Sequence, residues 1–242
     1  MIKERPISFN VDMMRALLAG RKTQTRRLMK PQPPAKYDRL YYEPRWFWSQ
    51  STSGQGAEQQ DLLPVPKCPY GRPGDRLWCR EPWALCGGLD QVDAHRLSKE
   101  WWSHQIKMGL LWHQATDDAP LDDNKTIGEQ MASRGRWRNC DDMPRWASRI
   151  TLEIKAIRIE RLQDISETDA IAEGVEPLHS NGDMQLWRDY GIKPENNEGY
   201  NYFNAARESF ASLIDSIKGP GTWDSNPWVR VVEFEEIKCR NP

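Results

Sequence analysis

A chain of 242 residues with 38% apolar and 29% charged side chains can bury a core, and one domain is the simplest expectation at this length. Its 34 basic residues are matched by 35 acidic ones, which excludes bulk charge as a source of attraction to nucleic acid or membranes and leaves only local clustering. The five cysteines, Cys68, Cys79, Cys86, Cys140 and Cys239, form no C-x-x-C and leave one over, arguing against a disulfide framework or a thiolate zinc site.

Arg5 to Phe9 reads as a short strand. Asn10 then caps a helix whose Met14, Leu17 and Leu18 share a face and which Gly20 ends. The basic stretch "GRKTQTRRLMK" therefore starts at a helix C-terminus, where the dipole favours cations. Residues 31–73 are rich in Pro, Gly, Gln and Ser and read as a surface excursion with an aromatic anchor. Gly74 and Asp75 make a turn into a strand from Arg76 to Glu81.

Residues 84–144 read as a polar, Trp-rich insertion, with a helical possibility from Leu97 to Trp112. His95, His104 and His113 recur every nine residues, which puts neighbours on opposite helix faces; no metal or other cofactor is expected. "RITLEIKAIRIERL" alternates cleanly until its phase slips near Ala156, as a β-bulge would make it. Ser166 and Asp169 form a capping-box pattern for a helix from Glu167 to Glu173, closed by Gly174. Glu173 then faces the negative end of its own helix, an unfavourable place without a cation nearby.

A second polar excursion covers 177–199. Beyond it Phe203, Ala206, Phe210, Leu213, Ile214 and Ile217 form one apolar helical stripe, and "PWVRVVEFEEI" reads as a strand inside a sheet. Strands scattered among helices, one of them bulged, predict a small α+β barrel. No apolar run reaches the ~18 residues of a membrane span, and "MIKERPISFN" lacks a signal peptide's apolar stretch, so a cytoplasmic protein without membrane contact is expected.

Three readings of the basic stretch stand side by side. Lys22 and Thr25 would face apart in a strand but converge in a turn. There, neighbouring Arg21, Arg26 and Arg27 would depress the Lys22 pKa and make it a base beside a hydroxyl. Alternatively the cations neutralise phosphates, or they are a solvated helix end. "RGRWRNCDDMPRWASR" interleaves Arg134, Arg136, Arg138, Arg145 and Arg149 with Trp137 and Trp146. That is a cation-and-ring pattern suited to single strands, or else an edge with solvated arginines. Trp78 and Trp228, on strands, are expected in the core.

Taken together, "AGRKTQTRR", "PGDRLWCRE", "ITLEIKAIRIERLQDISETDAIAEGV" and "NPWVRVVEFEEI" resemble the ASCH domain of the PUA-like superfamily of RNA-associated β-barrels, most closely its phage and prophage versions. The resemblance covers about half the chain and implies a bent β-barrel with flanking helices, the excursions being large loop insertions. A smaller bacterial relative in that superfamily removes the acetyl group of acetylated cytidine with a Lys, a Thr and a distant Glu. Lys22, Thr23, Thr25 and Arg26 match its loop, and Glu173 its carboxylate.

The resemblance thus implies Thr25 as nucleophile, Lys22 as base and Glu173 orienting Lys22 or a water, or the roles of Lys22 and Glu173 exchanged, with Arg26 or backbone amides of the loop steadying the oxyanion; Arg21, Thr23, Arg26 and Arg27 are expected to bind the ligand. Arg80, Arg145 and Trp146 complete the expected binding set. The expected partner is a nucleoside or single-stranded nucleic acid, RNA foremost, in a bacterial host cell if the chain is phage-encoded. A non-catalytic RNA or DNA reader and a nuclease remain the competing expectations.

Overall fold

The structure is a computed structural model and describes residues 1–36, 39–42, 46–49, 63–93, 95, 111–117, 134–178, 184–191 and 201–237. Its centre is a five-stranded sheet built from Glu4–Ser8 (β1), Gln24–Leu28 (β2), Arg76–Arg80 (β3), Thr151–Arg161 (β4) and Trp228–Glu236 (β5), in the order β1-β3-β4-β5-β2. β1 runs parallel to β3, and the other neighbours are antiparallel. Among the described residues three α-helices flank it: Val11–Leu18 (α1), Glu167–Ala172 (α2) and Ala206–Lys218 (α3). The fold is α+β, as the scatter of strands among helices implies.

The barrel expectation needs correcting. Among the described residues β1 and β2 share no ladder, so the sheet stays open, although its edges approach where Arg27 Nη2 donates to Ser8 O at 2.7 Å. The bulge falls where the phase slip places it. β4 and β5 pair in register to Glu233 opposite Ala156, then resume with Phe234 opposite Ile154, leaving Lys155 as the extra residue.

Leu77, Leu152, Ile154, Val229, Val231 and Phe234 of the sheet form one core with Met14 and Leu17 of α1 and Phe210, Leu213 and Ile214 of α3. Asn10 Oδ1 accepts from Met13 N at 2.9 Å and caps α1, whose following Gly20 sits at φ 70°. Leu18 leaves the expected face and is 42% exposed. In α2, Ser166 Oγ accepts from Asp169 N, but the Asp169 carboxylate turns to β2 instead of completing a capping box. α3 begins after Phe203, which instead pairs in a two-residue strand, and its missing cap is supplied by Glu167, which accepts from Ala206 N at 2.8 Å. At the other end of the stripe Ile217 is 40% exposed.

The excursions carry short strands. In the first, Arg39–Tyr42, Trp46–Ser49 and Leu63–Pro64 form a small sheet whose buried Trp48 meets Trp228 at 4.7 Å, the aromatic anchor. In the Trp-rich insertion, Trp83–Leu85 pairs with Leu111–His113, so the end of the expected helix is a strand; residues 96–110 lie outside the described residues. Trp83, Leu85, Met143 and Ala147 form a separate small core there. Beneath it the buried Glu81 carboxylate takes both arms of Arg149, at 2.8 and 2.9 Å. In the third, Pro177–Leu178, Leu186–Arg188 and Tyr202–Phe203 form a sheet that Ser209 of α3 holds by donating to Arg188 O. Among the described residues no helix is long and apolar enough to cross a membrane.

Candidate active site

Only half of the basic stretch is a loop. Residues 21–23 are irregular, Arg21 N and Lys22 N both donating to Ala16 O, and β2 starts at Gln24. This bend before the strand lets Lys22 and Thr25 line one cavity, which strict alternation would forbid.

Lys22 runs under the end of α2. Its Nζ donates to Glu173 Oε2 at 2.8 Å and to Glu173 O at 2.7 Å, and both residues are 3% exposed. The carboxylate at the wrong end of its helix thus has its cation, and the same ammonium satisfies a C-terminal carbonyl. Close approach depends on Gly174, at φ 91°, where a Cβ would stand 2.7 Å from Ala16 Cβ and 3.0 Å from Lys22 Cβ. Gly174→Ala is expected to destabilise the fold by about 1–3 kcal/mol, read by urea unfolding, because both the backbone and the α1–α2 contact oppose it.

Arg26, 4% exposed, fixes the other carboxylate oxygen: Nη1 donates to Glu173 Oε1 at 3.2 Å. Its Nη2 reaches Glu160 Oε1 at 2.6 Å and Asp169 Oδ2 at 3.0 Å, and its Nε also reaches Glu160. Four of its five N–H groups are therefore committed to carboxylates. Arg158 extends the lattice to Asp169, Glu160 and Glu233, and Gln24 ties β2 to Asp169.

Burial is the first cause holding the Lys22 pKa below the ordinary 10.5. Attraction and hydrogen bonding to Glu173 oppose it, and repulsion from Arg27 and Arg26 adds to it. The depression expected from like charges is present, but desolvation leads.

Above the pair lies a cavity of about 280 Å³, near the small end of ligand sites at ~300–1,000 Å³. Phe9, Met13, Phe210, Leu213, Ile214 and Ile217 give it apolar walls; Lys22, Thr25 and Glu173 supply its polar floor. Thr25 is 4% exposed, and its hydroxyl has no hydrogen-bond partner among the described residues. Cys140 also lines the cavity, but desolvation and then Asp141 push its thiol pKa up, away from a thiolate nucleophile.

The other expected binding residues separate. Arg27 lines the cavity, its guanidinium 5.2 Å from the Phe9 ring centre. Arg21 instead donates to the Gly174 and Val175 carbonyls, and Thr23 is exposed, its backbone bonding Ala172 and Phe234. Arg80 and Arg145 flank Trp78 at 4.8 and 5.9 Å, and Arg145 pairs with Glu4. Trp146 packs edge-on against Trp83. None of these five lines the cavity. Within the Arg-Trp segment the cations find rings in their own chain, Arg134 on Trp137 and Arg138 on Trp83.

His95 and His113 each face a backbone carbonyl, of Asp142 and Ala147. Among the described residues no three His, Cys, Asp or Glu side chains gather as metal ligands. His104 lies outside the described residues.

Sequence reasoning missed Phe9, Asn10 and Ile217, which come from elements remote from the basic stretch. Ile217 carried a signal: it ends an apolar stripe beside Lys218, where a helix passes from core to rim.

Fold and cavity together define an α+β protein with a buried lysine–carboxylate pair beneath a small, mostly apolar cavity. No protein-family model, curated protein or solved structure matches this chain.

Proposed function

We propose that the chain is an ASCH-type protein of the PUA-like superfamily and an amidohydrolase that removes the acyl group from the exocyclic amine of a modified cytidine or related nucleoside. The observation that carries this reading is the buried Lys22–Glu173 pair, 2.8 Å apart, in the cavity that Thr25 also lines. The bulged β4–β5 pair at the centre of the sheet supports the fold part of this reading.

The neutral Lys22 amine keeps both N–H bonds on Glu173 and has one tetrahedral position left for its lone pair. That lone pair takes the Thr25 hydroxyl proton as Oγ bonds to the acyl carbon. As the tetrahedral adduct collapses and the C–N bond breaks, Lys22 returns the proton to the departing amine. Water then attacks the acyl-threonine, Lys22 relays its proton to Oγ, and the carboxylic acid leaves.

Glu173 is a positioning residue here, its second carboxylate oxygen held by Arg26 Nη1 at 3.2 Å. With most of its donors spent, Arg26 is a poor oxyanion donor. Asn10, whose Oδ1 is held by α1, has its Nδ2 left for that role at the cavity edge.

The test is release of cytidine from N4-acetylcytidine by the purified chain, followed by chromatography across pH. Because the base works unprotonated and its pKa is depressed by burial, the rate is expected to climb with pH and level off below 10.5. No release at any pH would leave a non-catalytic nucleic-acid reader, in which the same pair only clamps the basic loop to the end of α2.

A further inference from the structure

Beside the cavity, and sharing Arg27 and Lys218 with it, lies a second cleft of about 400 Å³. Arg27, Lys30, Lys67, Lys218 and Arg230 line it, with Tyr70 and proline walls and, among the described residues, no carboxylate. None of the five cations is ion-paired among the described residues, whereas the buried Lys22 and Arg26 all hold carboxylates.

The sheet register brings this about. Arg27 on β2 stands directly opposite Arg230 on β5, and like charges directly opposed destabilise a ladder. Arg230 is 5% exposed, yet its hydrogen bond is to a neutral group, Pro66 O at 2.5 Å. Arg27 gives Nη2 to Ser8 O and has a buried Nε without a partner. The Lys218 pKa is lowered, first by desolvation and then by Arg27 and Lys30. A buried cation normally meets an anion, and here the described residues supply none. Arginine forks and lysine ammonium groups converging on a cleft match the tetrahedral oxygens of a phosphate.

We propose that this cleft holds the phosphate of a nucleotide whose base enters the neighbouring cavity, so that the substrate is a phosphorylated nucleoside or a nucleic-acid strand and not a free nucleoside. The inference rests on the cavity being the base site, but not on Thr25 chemistry.

The experiment is calorimetric titration of the full chain with cytidine, cytidine 5′-monophosphate and a short oligocytidylate, repeated with the double variant Lys30→Glu/Lys67→Glu. Both lysines are exposed, and an unchanged melting temperature verifies the variant's fold. The monophosphate is expected to bind the wild type roughly tenfold or more tighter than cytidine, as charge-assisted hydrogen bonds allow. The variant is expected to lose that preference.

An oligonucleotide tighter still, with steep salt dependence, identifies a strand as the natural ligand; equal binding identifies a mononucleotide. Equal affinity for cytidine and its monophosphate in the wild type, binding of neither, or a preference that survives in the variant overturns the proposal. Phosphate preference without deacylation would sink the catalytic reading and leave this one standing; deacylation without phosphate preference would do the reverse.

Discussion

Glu173→Ala is expected to lower stability by about 3–5 kcal/mol in urea unfolding, because it strands the Lys22 ammonium in a buried site. Arg26 suffers less, since Glu160 and Asp169 still hold it. Replacing both partners, Lys22→Met with Glu173→Met, is expected to cost less than Glu173→Ala alone, since no uncompensated charge remains. The pH dependence has a definite sign. With its folded pKa below 10.5, Lys22 binds its proton less readily folded than unfolded, so its contribution to stability rises with pH from the folded pKa up to 10.5. Lys22→Met is expected to abolish that rise.

The second large effect is on turnover. Lys22→Ala and Thr25→Ala are each expected to reduce kcat/KM for N4-acetylcytidine by roughly 10²–10⁴-fold, the range of a lost general base or nucleophile. Thr25→Ala separates chemistry from folding, because its hydroxyl makes no hydrogen bond to described residues and its loss strands no charge. A Thr25→Ala variant with native stability and undiminished turnover would remove threonine from the mechanism.

Local patterns were legible where a single element decides them. Alternation and its slip near Ala156 point to β4 and to the bulge, whose extra residue is Lys155, and the Asn10 and Gly20 signals bound α1. The oddity of Glu173 at a helix C-terminus asked for a cation, and Lys22, 151 residues away in sequence, is the one that meets it. Other features depended on pairings that no local pattern encodes. β2 reads as a basic loop because its Arg26 is neutralised by Glu160, Asp169 and Glu173 on other elements, which lets a charged stretch lie buried in a sheet.

Arg230 was similarly hidden. It sits in an apolar run that reads as core, and only the register against Arg27 shows two guanidinium groups sharing a cleft. Arg80, Arg145 and Trp146 suit a ligand surface by residue type, yet each finds a partner within the chain, so composition alone does not tell a ligand surface from an internal contact.

The most direct measurement is peptide mass mapping of the chain quenched in acid during its first turnovers of N4-acetylcytidine. An acetyl group on Thr25, absent from the Lys22→Ala chain, is the predicted result. Cytidine released while Thr25 stays unmodified, and released by a Thr25→Ala chain as fast as by the wild type, would contradict it.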